Sequence, residues 1–303
     1  MNALIAERAT AAYLGLALGD ALGATVEFLT PNEIRCQYGV HREIRGGGWL
    51  RLKPGQVTDD TTMSLALGRA IIDNGGRVDA LACARAFDAW MRAKPVDIGN
   101  TVRRNLVAFR HSGKPQAPPS QHDAGNGAAM RLLPVALATL DWPAAEVTRA
   151  VRAQAHVTHH NALSDAVCDT LVATVHALLK RNGEVSPGGA DQTSGHFAAA
   201  LVAKHPQFAF DGRRCDNPGG YIVETMQAVF QAFFATDNFE DCLVDVVNRG
   251  GDADTTGAIC GMLAGAHYGV DAIPARWIEV LDAQVKKACE APARTLVKMA
   301  LSD

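Results

Sequence analysis

Gly250-Gly251-Asp252-Ala253-Asp254-Thr255-Thr256-Gly257 sets two carboxylates two residues apart, between a glycine pair and a threonine pair. A long, glycine-studded apolar run follows through Ile259, Met262, Leu263 and Ala266. Residues i and i+2 of a regular helix face different ways, so the two acids converge only in a turn. Gly250 and Gly251 permit such a turn, because glycine reaches backbone conformations that other residues avoid. A helix is expected to begin at Thr255 or Thr256. Carboxylate and hydroxyl oxygens are hard donors, suited to Mg, Mn or Ca rather than to a soft-ligand metal. Taken alone, the segment is equally well explained as a helix cap, with Asp254 or Thr255 capping and the acids complementing the positive helix end.

A second cluster changes that balance. Thr58-Asp59-Asp60-Thr61-Thr62 opens another helix, through Met63, Leu65, Leu67, Ala70 and Ile71 to Gly75-Gly76. One such cluster is a cap. Two, each with close carboxylates that repel unless a cation lies between them, point to a dinuclear metal site. Asp97, in Val96-Asp97-Ile98-Gly99-Asn100, is a third acid at a helix start and by itself reads as an N-cap. Glu27 stands among Val26, Phe28 and Leu29, where a lone acid is more often a snorkelling or paired surface group.

The totals narrow the classes. In 303 residues, 48% are hydrophobic and only 6% aromatic, so the core is expected to be built by close packing of small residues. A formal charge of -3 with pI near 6.4 leaves no basic footprint for nucleic acid. The seven cysteines never form a CxxC pair, which suits a reducing cytoplasm and offers no zinc site. Glu7 and Arg8 stand where a signal peptide needs an apolar core, and the uncharged run 255–270 falls short of a membrane span. A soluble intracellular protein is expected.

Periodicity predicts a helix over 4–19, with Gly15 and Gly19 allowing close helix approach. Residues 30–57 read as a long loop holding Gly46-Gly47-Gly48-Trp49, a weak phosphate cradle without the Lys and Ser/Thr of a P-loop. Further helices are predicted over 79–93, from Asp97 to about 111, and from the small residues Ala124-Gly125-Asn126-Gly127, whose open N-terminus would seat phosphate. The rest fall at 143–156, 161–181, 196–204, 219–235, 238–248, 256–269 and 275–301, with loops at 112–124 and 182–195. His156, His159 and His160 have no Cys or HExxH companion, which favours hydrogen-bonding roles over zinc. No useful alternating strand and no fixed-period repeat is present. The expectation is an all-α fold, one compact multi-helix domain over residues 1–303.

The two acid clusters together resemble the ADP-ribosylglycohydrolase family. The resemblance extends to Gly19-Asp20-Ala21-Leu22-Gly23 with Glu27, to Val96-Asp97-Ile98-Gly99-Asn100, and to Asp123-Ala124-Gly125-Asn126-Gly127. It covers roughly residues 8–285, and is similar to the family's nitrogen-fixation branch in Gly46–Leu50, Gly55–Thr58, Tyr221–Gln227 and Met262–Ala266. It implies two Mn²⁺ (or Mg²⁺) ions held by Thr58, Asp59 and Asp60 from one side and Asp252, Asp254 and Thr255 from the other. Asp97 and Glu27 are the implied catalytic acids, with Asp97 moving a proton or orienting the ribose. Gly99, Asn100, Gly125, Asn126, Gly127 and His159 are the implied contacts to ADP-ribose. The implied reaction is metal-assisted attack of water at the ribose anomeric carbon, freeing an arginine of ADP-ribosylated dinitrogenase reductase. Implied partners are that substrate, a PII signalling protein and, through it, an ammonium transporter that would bring a cytoplasmic monomer reversibly to the membrane. Two alternatives stand beside this: another ADP-ribosyl compound (ADP-ribosyl-serine, O-acetyl-ADP-ribose) as substrate, or a non-enzymatic, crystallin-like relative.

Overall fold

The computed structural model describes residues 2–181 and 192–301. Among these residues the chain forms fourteen α-helices, two single-turn 3-10 helices and no strand, only two isolated bridges (Gly47 with Leu52, Gly125 with Tyr221). The helices are α1 (Asn2–Gly23), α2 (Pro31–Tyr38), α3 (Asp59–Asp73), α4 (Ala80–Arg92), α5 (Asn100–Ser112), α6 (Leu133–Ala138) and α7 (Ala144–Ala155). They continue as α8 (Ala162–Lys180), α9 (Gln192–Lys204), α10 (Ile222–Ala235), α11 (Phe239–Val247), α12 (Ala253–Tyr268), α13 (Ala275–Val280) and α14 (Ala283–Ala300). The all-α expectation holds.

The centre of the fold is the pair α1 and α12. Every residue of α12 from Ala253 to His267 is buried, so the helix has no polar face and sits inside the bundle. Helix α1 lies against it antiparallel, with small residues one turn apart meeting at Ala11–Gly265, Gly15–Gly261, Gly19–Gly257 and Gly23–Ala253. A Cβ placed on Gly15 would stand 2.1 Å from the Gly261 carbonyl oxygen, and one on Gly19 would stand 1.9 Å from that of Gly257. Backbone therefore packs on backbone, and the C-terminal end of α1 is held beside the N-terminal turn of α12. Helices α8, α10 and α11 cover other sides of α12, and α14 packs on α1, α3 and α6.

Several boundaries differ from the sequence reading, each for a local reason. Helix α1 runs on to Gly23, since its glycines face α12 and do not end it. The long loop contains α2, opened by a capping box in which the Thr30 hydroxyl accepts from the Glu33 N–H, the Glu33 carboxylate accepts from the Thr30 N–H, and Pro31 takes the first turn. Residues 126–131 form turns, and the helix after them starts only at Leu133, so Gly125–Gly127 are not a helix N-terminus. The C-terminal helix is broken at Leu281-Asp282, where Asp282 caps α14. Of the loop expected at 182–195, residues 182–191 lie outside the described residues, and 192–195 already belong to α9. Helix α8 is long and apolar enough to cross a membrane, with mean hydropathy 1.4, but half of that stretch is buried inside the protein, as in a core helix.

Candidate functional site

Thr58 and Asp252 both occupy N-cap positions, yet neither side chain makes a cap hydrogen bond. Elsewhere Asp79, Asn161, Asn238 and Asp282 cap their helices in the ordinary way. The two acidic turns instead face each other. The Thr58 hydroxyl lies 3.3 Å from Asp60 Oδ2 and 3.5 Å from Asp254 Oδ2, and the Thr255 hydroxyl donates to Asp60 Oδ2 at 3.2 Å. Asp59, Asp60 and Asp254 are buried, and Asp60 Oδ1 has no hydrogen-bond partner at all. A buried, unpartnered carboxylate oxygen is costly unless something positive satisfies it. Glu27, Asp252 and Asp254 each bring an oxygen within 4.8 Å of the others'. A hard divalent cation fits this all-oxygen set.

The electrostatics agree. Burial is the first cause that pushes Asp59 up to about 7, and Asp97 and Asp20 add to it. Asp60 and Asp254 are driven well above the usual carboxylate range, first by burial, then by the charges of Asp20 and Asp59 on Asp60 and of Asp60 and Glu27 on Asp254. Glu27 reaches about 8 through burial and the charges of Asp252, Asp97 and Asp59, against a short hydrogen bond from the Trp49 indole N–H at 2.6 Å. Glu27 is thus buried and paired with an indole, neither snorkelling nor a surface acid.

The acids open into a cleft of about 340 Å³. Of the residues expected from the sequence, Glu27, Asp59, Asp97, Gly99, Asn100, Gly125, Asn126, Gly127, His159, Asp252, Asp254 and Thr255 all line it, while Thr58 and Asp60 lie behind the wall. Asp97 does not cap α5; Gly99 takes that position, and the Asp97 carboxylate accepts from the Ile98 N–H at 2.7 Å. Asn126 is spoken for on the protein side, donating to Asp252 Oδ2 at 2.6 Å and to the Thr225 hydroxyl at 3.0 Å. His159 stands beside Gly125 and Gly127. A Cβ on Gly127 would come 2.7 Å from its ring, so the glycines at 125 and 127 make room for the imidazole.

Three residues escaped the sequence reading. Asp20, on α1, is fully buried and accepts from the backbone N–H groups of Thr58 and Thr61 and from the Thr61 hydroxyl at 2.5 Å, which fixes the first acidic turn. Its place in Gly19-Asp20 was visible, but its role needed the contact between α1 and α3. Arg131 is fully buried, lies over the Phe87 ring at 4.2 Å, and donates to the Gln154 side chain, the Gln154 carbonyl and the Thr158 hydroxyl. The Thr158 oxygen accepts from Arg131 at 2.8 Å and lies 2.8 Å from His159 Nδ1. If the hydroxyl gives its own proton to Nδ1, the His159 proton stands on Nε2, the nitrogen facing Gly125. Burial and the Arg131 charge hold His159 neutral, down to about 3. A single arginine in an apolar stretch carries no such message in sequence. The third is Trp49, through its bond to Glu27.

An all-helical bundle with two opposed acidic turns over one cleft defines the class: the chain belongs to the ADP-ribosylglycohydrolase family, which matches it over residues 1–301. It is 50% identical over 294 residues to the ADP-ribosyl-[dinitrogen reductase] glycohydrolase of Rhodospirillum rubrum, covering 97% of each chain. It is also 32% identical to the ADP-ribosylarginine hydrolase Tri1 of Pseudomonas putida (strain GB-1), covering 90% of this chain and 74% of that one. A solved structure described as an ADP-ribosylglycohydrolase-related protein complex superimposes with a TM-score of 0.82 at 33% identity, over 98% of this chain and 99% of the other.

Proposed function

We propose that the chain, acting as one domain, is a manganese-dependent ADP-ribosylarginine glycohydrolase that releases ADP-ribose from an arginine of dinitrogenase reductase. The observation that carries this reading is the pair of opposed acidic turns at the cleft, in a chain 50% identical to a relative of that name. The buried, repelling carboxylates speak against a purely structural, crystallin-like role, since without a counter-charge they cost stability.

Thr58, Asp59 and Asp60 on one side, and Asp252, Asp254 and Thr255 on the other, would hold the cations, with Glu27 a further oxygen donor at the rim. Cations there would supply Lewis-acid charge and offset the repulsion of the acids. The protein's own residues do the rest. Asp20 holds the Thr58–Thr61 turn from behind, and Asn126 fixes the Asp252 carboxylate. The neutral His159, with Nε2–H toward the cleft, and the backbone around Gly125–Gly127 would take the pyrophosphate, beside an Asp252 carboxylate that Asn126 already satisfies. Gly99 and Asn100, which also line the cleft, would contact the ribose. Water adds at the anomeric carbon, the C–N bond to the guanidine breaks, and the guanidine leaves with a proton. Asp97 is placed to manage that proton.

Regulation by a PII signalling protein, and through it by an ammonium transporter, extends the same reading to a monomeric cytoplasmic enzyme. The test is ADP-ribose release from ADP-ribosyl-arginine dinitrogenase reductase by cation-stripped protein, with and without Mn²⁺. Manganese-dependent release is expected. Release unaffected by chelation overturns the cation assignment, and no release with manganese still bound points to another ADP-ribosyl acceptor.

A further inference from the structure

The glycine triplet before Trp49 and the backbone at Phe28 remain without a role in the site as built so far. Phe28 is the most exposed of the large apolar side chains described, at 62%, and Trp49 is 52% exposed. Scattered exposed apolar residues are ordinary, but these two are neighbours, with ring centroids 5.4 Å apart and planes tilted by 47°. Phe28 also lines the mouth of the cleft. Its φ is +64°, a left-handed conformation that a bulky residue adopts only at a cost. Strain spent to show a phenyl ring to solvent needs a reason other than packing.

Both rings are held from behind by the acidic site itself. The Phe28 N–H donates to the Gly251 carbonyl at 2.7 Å, at the head of the α12 turn, and the Trp49 indole N–H donates to Glu27 at 2.6 Å. The triplet Gly46, Gly47 and Gly48, all at positive φ, brings Trp49 back over the turn that follows α1: a Cβ on Gly48 would stand 2.3 Å from the Ala24 carbonyl oxygen. The triplet therefore serves as the bend that sets Trp49 beside Phe28.

The side of the cleft decides what the rings meet. In the proposed reaction the broken bond sits at the acids. In that reading the pyrophosphate lies toward His159 and Gly125–Gly127, beside an Asp252 carboxylate that Asn126 already satisfies. The group beyond the broken bond, on the acid side and next to Glu27, is the arginine and the polypeptide that carries it. The arginine enters the cleft, and the residues flanking it reach the mouth, where the adjacent exposed rings of Phe28 and Trp49 suit an apolar side chain.

We propose that Phe28 and Trp49 form a docking platform at the mouth of the cleft for the polypeptide segment carrying the modified arginine, taking an apolar side chain that flanks that arginine. The platform deepens the proposed function and rests on it. It makes recognition of the protein substrate separable from recognition of ADP-ribose.

The experiment compares two substrates, ADP-ribosylated dinitrogenase reductase and free ADP-ribosyl-arginine, with the full-length protein and its Phe28→Ala and Phe28→Gly variants. Both variants are expected to raise KM for the protein substrate by about tenfold, the size of an interface hot spot, while kcat/KM for free ADP-ribosyl-arginine stays within about twofold. Phe28→Gly relieves the left-handed strain, so its Tm is expected to equal or exceed that of the parent, which separates a docking loss from a folding loss. An equal loss on both substrates overturns the platform and assigns the rings to the nucleotide or to the active-site frame. No loss on either overturns it as well. If the parent protein hydrolyses neither substrate, the proposed function itself fails and the platform falls with it.

Discussion

Gly19 and Gly257 meet so closely that neither tolerates a side chain: a Cβ on Gly19 would sit 1.9 Å from the Gly257 carbonyl oxygen, and one on Gly257 would sit 2.4 Å from that of Gly19. This contact fixes the depth of α1 against α12. Asp20 is the next residue on α1, and Asp254 opens α12 three residues before Gly257, so the approach of two backbones sets the geometry of the acid site.

Gly19→Ala is expected to destabilise the protein by at least about 3 kcal/mol, the upper range for overpacking, because the clash is with backbone that no rotamer can relieve. Chemical denaturation measures it. A loss below about 1 kcal/mol, within the range of ordinary surface substitutions and small repacking, would show that the helices can slide apart without harm.

Asp20→Asn tests the support under the first acidic turn. The carboxylate accepts from two N–H groups and one hydroxyl, and an amide would turn an NH₂ toward at least one of those donors. Groups that orient metal ligands matter nearly as much as the ligands, so Mn²⁺ affinity is expected to fall by about 10- to 100-fold by calorimetric titration. Unchanged affinity would reduce Asp20 to a core hydrogen-bonding residue.

Asp97 makes its one described hydrogen bond to the Ile98 N–H beside it and lines the cleft. Asp97→Ala is expected to keep the fold and Mn²⁺ binding while lowering kcat by about 10²- to 10⁴-fold, the range for loss of a general acid or base. Loss of manganese binding instead would make Asp97 a ligand.

How much of this was legible in the chain follows from what each feature depends on. The acidic turns were readable because adjacent carboxylates at two helix starts are a local anomaly, and Gly15 and Gly19 because small residues one turn apart mark close approach. Helix α2 was also legible in Thr30, Pro31 and Glu33, a capping box passed over in favour of the surrounding glycines and prolines. Asp20, Arg131 and Trp49 were not, because each acts on a residue 22 to 41 positions away in sequence, across a helix contact or a returning loop. Gly125–Gly127 misled in a different way. Their small size looked like an open helix end, but it serves the His159 ring.

Thr158→Val tests the relay from Arg131 to His159. Removing the hydroxyl leaves one Arg131 N–H and His159 Nδ1 without their partner in a dry site, at a cost of about 1–3 kcal/mol. The sharper readout is the imidazole ¹⁵N spectrum. The parent is expected to show the Nε2–H tautomer, and the variant a mixture, with KM for ADP-ribosyl substrates rising more than kcat falls. A parent spectrum with the proton on Nδ1 would overturn the assignment.

The carboxylates give a pH dependence whose sign follows from their shifts. In the folded, cation-free protein Asp59 titrates at about 7 and Glu27 at about 8, with Asp60 and Asp254 well above the usual range, all first through burial. In the unfolded chain these groups are already ionised near pH 4 to 5. The folded state therefore binds more protons, and stability must fall as pH rises through the folded values. Buried His41, His159 and His176, all lowered by burial, act oppositely, but only below the unfolded histidine value near 6.5, where the unfolded chain takes up protons that they refuse. The clean window lies between about pH 7 and 8.5. There, with chelator, Tm is expected to fall as pH rises. A divalent cation binds the ionised acids of the folded state alone, competing with protons, so Mn²⁺ should raise Tm more at the upper end of the window than at the lower. A chelated protein whose Tm is flat or rises across the window, with a manganese shift that does not grow, would mean that the acids are not held as a strained, cation-seeking cluster.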